Sequence, residues 1–241
     1  MSLKPASALS SVCLTLGLVT AGVPVTGLAQ DPARFATEIA AFERMDATKP
    51  PPARPVLFAG SSSLRLWPDL PGVFPECPVL NRGFGGSQMS DLLHYFDRVV
   101  TRYEPAVVVV YEGDNDLAEG KSVEQVYADC TRFVDRMRRE LPGTEMIFIA
   151  VKPSPSRAKH LEAQRDLNDR LQRLAEQQTS VAFVDVFTPM LGADGQPRPE
   201  LFQEDRLHLN AAGYELWRER VGAALAAWSA RQAGRTSAAG H

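Results

Sequence analysis

Cysteine is scarce in this chain, with three in 241 residues, one of them Cys13. That is too few for a disulfide framework, so the fold must hold itself together by its core. Charge of one sign is also missing. Against 29 Asp and Glu stand 26 Lys and Arg, for a formal charge of −3. A chain with pI near 5.9 lacks the dense basic face that phosphate recognition needs, which excludes a nucleic-acid partner. No low-complexity tract is present, so a disordered scaffold is excluded too. No uninterrupted apolar run reaches the ~20 residues of a membrane span. At 44% hydrophobic and 23% charged residues, the remainder is an ordinary globular composition. The length suits one good-sized domain or two very small ones.

The first residues differ from the rest. Lys4 is the only charge before Asp31, the stretch Val12–Val25 is apolar, and small residues stand at Gly27 and Ala29. A positive start, an apolar middle and a small-x-small end predict a signal peptide over residues 1–29, with cleavage after Ala29 and export to the periplasm or medium. Gly17, Gly22 and Pro24 interrupt the apolar stretch, so no stable membrane span is expected after processing. Cys13 has no apolar region before it and does not mark a lipoprotein. Cys77 and Cys130 could pair in an oxidising compartment. However, Cys130 falls in a helical pattern with Val126, Phe133, Val134 and Met137, which favours a buried thiol.

Asp31–Asp46 reads as a helix on Phe35, Ile39 and Phe42, and a proline-rich break follows from Lys49 to Pro55. Together, residues 30–54 form an N-terminal helix and linker. The main domain is expected over 55–230, and a polar tail over 231–241. Within the domain, five short apolar runs alternate with amphipathic stretches. The runs are Val56–Ala59, Val79–Leu80, Ala106–Tyr111, Met146–Val151 and Val181–Val186. The amphipathic stretches are Ser90–Tyr103, Ser122–Leu141, Arg157–Gln178 and Ala211–Ala230. Strand–helix alternation of this kind predicts a parallel sheet covered on both faces, an α/β/α sandwich. Ligands in such folds bind at the carboxyl ends of the strands.

Unusual residues do follow each strand. Gly60-Ser-Ser-Ser63 follows the first, Gly83-Phe-Gly-Gly-Ser87 the second and Gly113-Asp-Asn-Asp116 the third. Lys152-Pro-Ser-Pro-Ser-Arg157 follows the fourth, and Asp205-Arg-Leu-His208 comes after the fifth. The glycine loop is not a dinucleotide fingerprint, because Gln88 stands where the third glycine belongs, and the full phosphate-loop pattern is absent as well. Of four histidines, only His208 sits at a loop-to-helix junction with an acid three residues before it. A serine hydroxyl becomes nucleophilic when a positioned base takes its proton. A carboxylate that orients that base supports it. Ester hydrolysis also needs donors for a tetrahedral oxyanion. The Asn115 amide and the N–H groups of Gly86 and Ser62 are the candidates. Each feature alone has a plain structural reading: a tight turn, a polar turn, a helix-entry Asp. The loop from Lys152 to Arg157 is expected to border the pocket, with Arg157 either meeting an acidic substrate group or, the favoured reading, belonging to a helix-entry turn capped by Ser156. Trp67 either walls a pocket or fills core.

In this order, the residues resemble the SGNH hydrolases, also called GDSL esterases or lipases. Phe58-Ala-Gly-Ser-Ser-Ser-Leu64 is similar to the block of the nucleophile, and Asn81-Arg-Gly-Phe-Gly-Gly86 to the second block. Gly113-Asp-Asn-Asp116 resembles the third and Asp205-x-x-His208 the last. The resemblance implies a flavodoxin-like sandwich with strand order 2-1-3-4-5 and a serine ester hydrolase that needs no cofactor or metal. It further implies Ser62 as nucleophile with Asp205 and His208, and an oxyanion hole of Ser62, Gly86 and Asn115. One departure is Ser61, where the family has Asp. With Ser63 following, this makes Ser63 a rival nucleophile. The first block also looks like a bacterial subgroup similar to the platelet-activating-factor acetylhydrolase branch, which implies a short acyl group. The substrate expected is a small-molecule or polysaccharide ester. An O-acyltransferase and an inactive carbohydrate- or lipid-binding module remain as alternatives.

Overall fold

In this computed structural model, Met1 and residues 31–239 are described, with side chains described through Arg235. Beyond Met1, the expected signal peptide lies outside the described residues.

Each of the five apolar runs forms a strand: β1 (Val56–Gly60), β2 (Val79–Gly83), β3 (Val107–Tyr111), β4 (Glu145–Ile149) and β5 (Val181–Val184). They make one parallel sheet in the order β2-β1-β3-β4-β5. The helices are α1 (Ala36–Thr48), α2 (Ser62–Arg65), α3 (Leu70–Val73), α4 (Met89–His94), α5 (Phe96–Val99), α6 (Asp114–Ala118), α7 (Val123–Glu140), α8 (Leu161–Glu176) and α9 (Ala211–Ala239).

Alternation is hidden in these strands because both faces are covered. Leu57, Ala59, Val108, Val110, Met146 and Phe148 join one core, with Ile39 of α1, Leu92 of α4, Phe133 of α7 and Leu167 of α8. Val56, Phe58, Val107, Val109, Ile147 and Ile149 join the other, with Trp67, Leu70, Trp217 and Val221. Every residue of β1, β3 and β4 is buried, which is the pattern of a sheet packed on both faces. Trp67 lies within an aromatic cluster. It stacks on Tyr214 at 5.4 Å and meets Trp217 edge-on at 5.7 Å, with Phe58 and Phe74 alongside. At 4% exposed, it fills core, and burial of such a ring stabilises by about 1.5–3 kcal/mol.

α1 is fastened to the sheet by its polar face as well as its apolar one. Asp46 pairs with the guanidinium of Arg82 and accepts from Tyr103 Oη at 2.7 Å, and Arg98 Nε meets Glu43 at 2.7 Å. Cys77 packs on one side of the sheet and Cys130 on the other, and both are free. Full burial pushes the Cys130 thiol well up. Among the described residues no helix is long and apolar enough to cross a membrane.

Three helical stretches differ from expectation. The stretch Ser90–Tyr103 is broken into α4, α5 and a 3₁₀ turn at Thr101–Tyr103. Tyr95 (φ −92°, ψ 14°) and Val100 (φ −121°, ψ −66°) leave the helical region at the two breaks. The helix expected from Arg157 begins at Leu161, after a 3₁₀ segment Pro155–His160 in which Arg157 is non-helical. α9 runs on to Ala239 rather than ending at Ala230. Glu145 at the start of β4 meets Arg231 at 2.9 Å and Arg235 at 3.1 Å. α7 begins where its sequence says it should. Ser122 Oγ accepts from Gln125 N, and Gln125 Oε1 accepts from Ser122 N, a reciprocal cap of two otherwise unpaired donors.

Candidate active site

Strand β1 ends in a sharp turn. Gly60 has φ +141°, and a Cβ there would lie 2.1 Å from Tyr111 O, so only glycine fits. The next residues head α2. Ser61 N donates to Tyr111 O at 3.0 Å, and Tyr214 Oη of α9 donates to Ser63 O at 3.0 Å. Between these anchors Ser62 is half-buried, while Ser61 and Ser63 are each 2% exposed. The Ser62 N–H lies at the first position of α2, where no helical acceptor exists for it.

The loop after β5 brings His208 to this serine. His208 Nε2 lies 3.1 Å from Ser62 Oγ, and Nδ1 lies 2.5 Å from Asp205 Oδ2. Asp205 Oδ1 also accepts from Leu207 N and His208 N, each at 2.9 Å. Arg206, at φ +57°, makes the tight bend that lets one carboxylate collect three donors. Desolvation works against the Asp205 anion, but the Leu207 N–H, the His208 ring and the His208 N–H outweigh it and hold the carboxyl at about 2. The anion therefore fixes the ring with Nδ1–H towards Asp205 and leaves the Nε2 lone pair facing the serine hydroxyl. Ser63, the rival nucleophile, is buried, and it is Ser62 Oγ that meets His208 Nε2.

Asn115 of α6 approaches from β3. Its Nδ2 donates to Ser61 Oγ and to Ser87 O, each at 2.8 Å, and its Oδ1 accepts from Arg157 Nη2 at 2.9 Å. The glycine loop is tied to β1 by Phe84 N donating to Gly60 O at 2.8 Å. Gly86 is exposed, has φ +75°, and has open space where a Cβ would project. Ser62, Gly86 and Asn115 thus come from the ends of three adjacent strands.

A buried charge cluster lies beneath Asn115. Lys152 Nζ meets Asp114 Oδ2 at 2.9 Å, and Arg157 Nη1 meets Asp114 Oδ1 at 2.8 Å. Gln164 Nε2 donates to Asp114 Oδ1 at 3.3 Å. Burial alone would push the Asp114 carboxyl up, but Lys152 and Arg157 reverse this and hold it below its ordinary value. On the other flank Ser87 Oγ lies 2.5 Å from Glu112 Oε1 and 3.1 Å from Phe84 O. Burial and the nearby Asp116 push the Glu112 carboxyl well above the ordinary range.

The sequence places the Lys152–Arg157 loop at the pocket but does not show its ion pairs with Asp114. Arg157 was expected in a turn capped by Ser156. Instead the segment is entered from Ser154 without a side-chain cap, because the guanidinium is drawn into Asp114 and Asn115. The available signal was Lys152, a cation directly after an apolar strand. Such a residue needs a buried partner, and Asp114 at the end of the neighbouring strand is the nearest candidate in that order. Among the described residues no group of three or more His, Cys, Asp or Glu side chains could hold a metal ion.

Comparison with known proteins gives a family and a fold. The profile of the GDSL-like lipase/acylhydrolase family matches residues 57–216. No curated protein matches the chain. Among solved structures, a Streptococcus pneumonia protein whose description refers to platelet activating factor is 24% identical, with TM-score 0.70, covering 80% of this chain and 94% of its own. A GDSL-like lipase from Bacteroides thetaiotaomicron is 24% identical at TM-score 0.65, covering 80% and 96%. A carbohydrate esterase of family 3 from Talaromyces cellulolyticus is 16% identical at TM-score 0.60, covering 72% and 96%.

Proposed function

The chain belongs to the GDSL-like lipase/acylhydrolase family, and from that premise we propose that it is a serine hydrolase of carboxylic esters with Ser62 as nucleophile. The observation that carries this reading is the hydrogen-bonded chain from Asp205 through His208 to Ser62. His208 Nε2 takes the Ser62 proton as Oγ bonds to the ester carbonyl carbon. Negative charge then gathers on the carbonyl oxygen, facing the N–H groups of Ser62 and Gly86 and the Asn115 amide. Asn115 Nδ2 already donates to Ser61 Oγ, so the oxyanion takes over a donor that the free enzyme keeps engaged and aimed. Asp205 stabilises the imidazolium. Its Nε2 proton passes to the leaving alkoxide as the ester C–O bond breaks, which leaves an acyl-serine. Water, deprotonated by His208, then attacks the acyl carbon; the C–Oγ bond breaks, Ser62 Oγ takes the proton back from His208, and the acid is released.

The favoured substrate is a short acyl ester, acetyl above all. An apolar groove of about 440 Å³ lies between Phe74, Cys77 and the end of α9, and none of Ser62, Asn115 or His208 lines it. That groove supplies no slot for a long chain at the serine. The alcohol side is open to a small-molecule or polysaccharide partner, since the His208 loop is exposed. Export rests on the pattern of residues 1–29 alone, and the mass of protein recovered from the periplasm tests it.

The deciding measurement is turnover of esters from p-nitrophenyl acetate to palmitate by wild type and Ser62→Ala. Wild type should prefer acetate, and the variant should be inactive. Undiminished turnover by Ser62→Ala rejects the nucleophile. An acceptor-dependent product in place of free acid turns the reading into an acyltransferase. A wild type that neither turns over esters nor is labelled by a fluorophosphonate is an inactive module.

A further inference from the structure

The two sides of an Asn amide are nearly equal in size, and partners alone decide which way it faces. At Asn115 two partners decide together, Arg157 on one side and the Ser87 carbonyl on the other. A guanidinium has donors and no acceptor, so Arg157 Nη2 at 2.9 Å can face only Oδ1. The Ser87 carbonyl has no donor, so it can face only Nδ2, at 2.8 Å on the opposite side, where Nδ2 also donates to Ser61 Oγ.

Arg157 is itself held in place. Asp114 grips its Nη1 at 2.8 Å, and Lys152 grips the other Asp114 oxygen at 2.9 Å. Side-chain exposure is 1% for Lys152, 5% for Asp114 and 17% for Arg157. Lys152 alone would balance Asp114, so the Arg157 cation is in surplus. It sits against the oxygen of the amide whose nitrogen faces Ser61, the neighbour of the nucleophile, and Ser87. The backbone accommodates this placement, because Arg157 takes φ −119° and ψ 22° within a helical run. Ser156 N donates to Arg206 O at 3.1 Å, so the same loop also touches the turn that carries Asp205 and His208.

We propose that Arg157 is a positioning residue for ester hydrolysis, acting through Asn115. With the Ser87 carbonyl it locks the amide so that Nδ2 stays on the side of Ser61 and the nucleophile. Its unbalanced positive charge polarises that amide so that it donates more strongly as the oxyanion forms. Lys152 and Asp114 are the rigid base on which it stands. This inference rests on the esterase reading of the same site.

The test is a double-mutant cycle on p-nitrophenyl acetate, run after wild-type turnover and fluorophosphonate labelling of Ser62 are established. Arg157→Ala should lower kcat by about 10–100-fold, the usual cost of losing an orienting partner, and leave KM within about twofold. In an Asn115→Ala background the same substitution should cost less than about twofold, because the residue it acts through is gone. Added guanidinium ion should restore part of the kcat of Arg157→Ala, and nothing in the Asn115→Ala background. Arg157→Lys should fall between wild type and alanine, and serves the same cycle if the alanine variant fails to fold. A raised KM with unchanged kcat would make Arg157 a substrate contact and overturn the proposal. So would equal losses in both backgrounds, or wild-type kinetics in the single variant. Absent wild-type turnover and labelling would bring down the esterase reading first, and this inference with it.

Discussion

The two halves of the site are built in opposite ways. Asp205 and His208 are three residues apart, and their side chains are 47% and 24% exposed. Every contact that Asp205 makes in the site is within its own turn. Asn115 is 8% exposed, and its partners Ser61, Ser87 and Arg157 are 54, 28 and 42 residues away in sequence. The proton-transferring half is thus a local turn laid on the surface. The half that would receive the oxyanion is a product of the whole sheet. A moving proton tolerates, and at the departing alcohol requires, access to solvent. An oxyanion is stabilised most by donors that are already fixed and shielded.

This contrast predicts a separation of activity from stability. The largest effect belongs to the exposed half. His208→Ala should lower kcat on the order of 10⁴–10⁶-fold, as the loss of a member of such a unit does. Yet it should move Tm by no more than about 4 °C, because a half-buried ring at the surface is removed. Turnover and thermal melting on one sample check both, and a large fall in Tm would erase the distinction. Next comes Asp114→Ala in the buried half, which strands the cations of Lys152 and Arg157. Leaving a buried charge unpaired costs about 3–5 kcal/mol, or about 6–20 °C in Tm for a chain of this size. A melting curve that coincides with wild type would show that water reaches the cluster. Asn115→Ala should lie between these patterns. Losing one oxyanion donor lowers kcat by roughly 100–1,000-fold, and the orphaned Ser87 carbonyl costs about 1–3 kcal/mol of stability. A changed KM with normal kcat would instead make Asn115 a substrate contact.

The same division explains what could be read in the sequence. The sheet was legible because the runs at Val107–Val110 and Met146–Ile149 are apolar without interruption, and because right-handed crossovers leave few topologies. The Asp205–His208 turn was legible because its geometry is local, since three residues suffice to return a carboxylate to a ring. Asn115 was visible only as one member of an ordered set of loops. The pairing of Asp114 with Lys152 and Arg157 stayed hidden because it spans 38 and 43 positions and depends on which strand ends lie side by side. Sequence spacing carries no trace of that. Helix edges failed for a related reason: Arg157 leaves the helical region to satisfy a tertiary contact, and tertiary contact overrides propensity. Trp67 was ambiguous because an apolar ring serves core and pocket equally, and only its neighbours Tyr214 and Trp217 decide.

The smallest expected effect is also the sharpest test of how local the exposed half is. The Asp205 carboxyl is held at about 2, against about 3.9 for an unperturbed Asp. A folded value below the unfolded one means that the native state favours the anion. The resulting stabilisation is complete above about pH 4 and is lost as pH falls through about 2. With the side chain nearly half exposed, solvent screening keeps the stability term small, so a carboxyl NMR titration is the better measurement than melting. It should give a midpoint near 2, and any loss of turnover between about pH 4 and 7 then has another origin than Asp205. In His208→Ala the ring contact is gone, but the N–H groups of residues 207 and 208 remain. The midpoint should therefore rise yet stay below about 3.9. A return to the unperturbed value would mean that the imidazole, and not the turn, holds the carboxylate. The exposed half would then owe its geometry to His208, and its independence from the rest of the site would extend no further than one side chain.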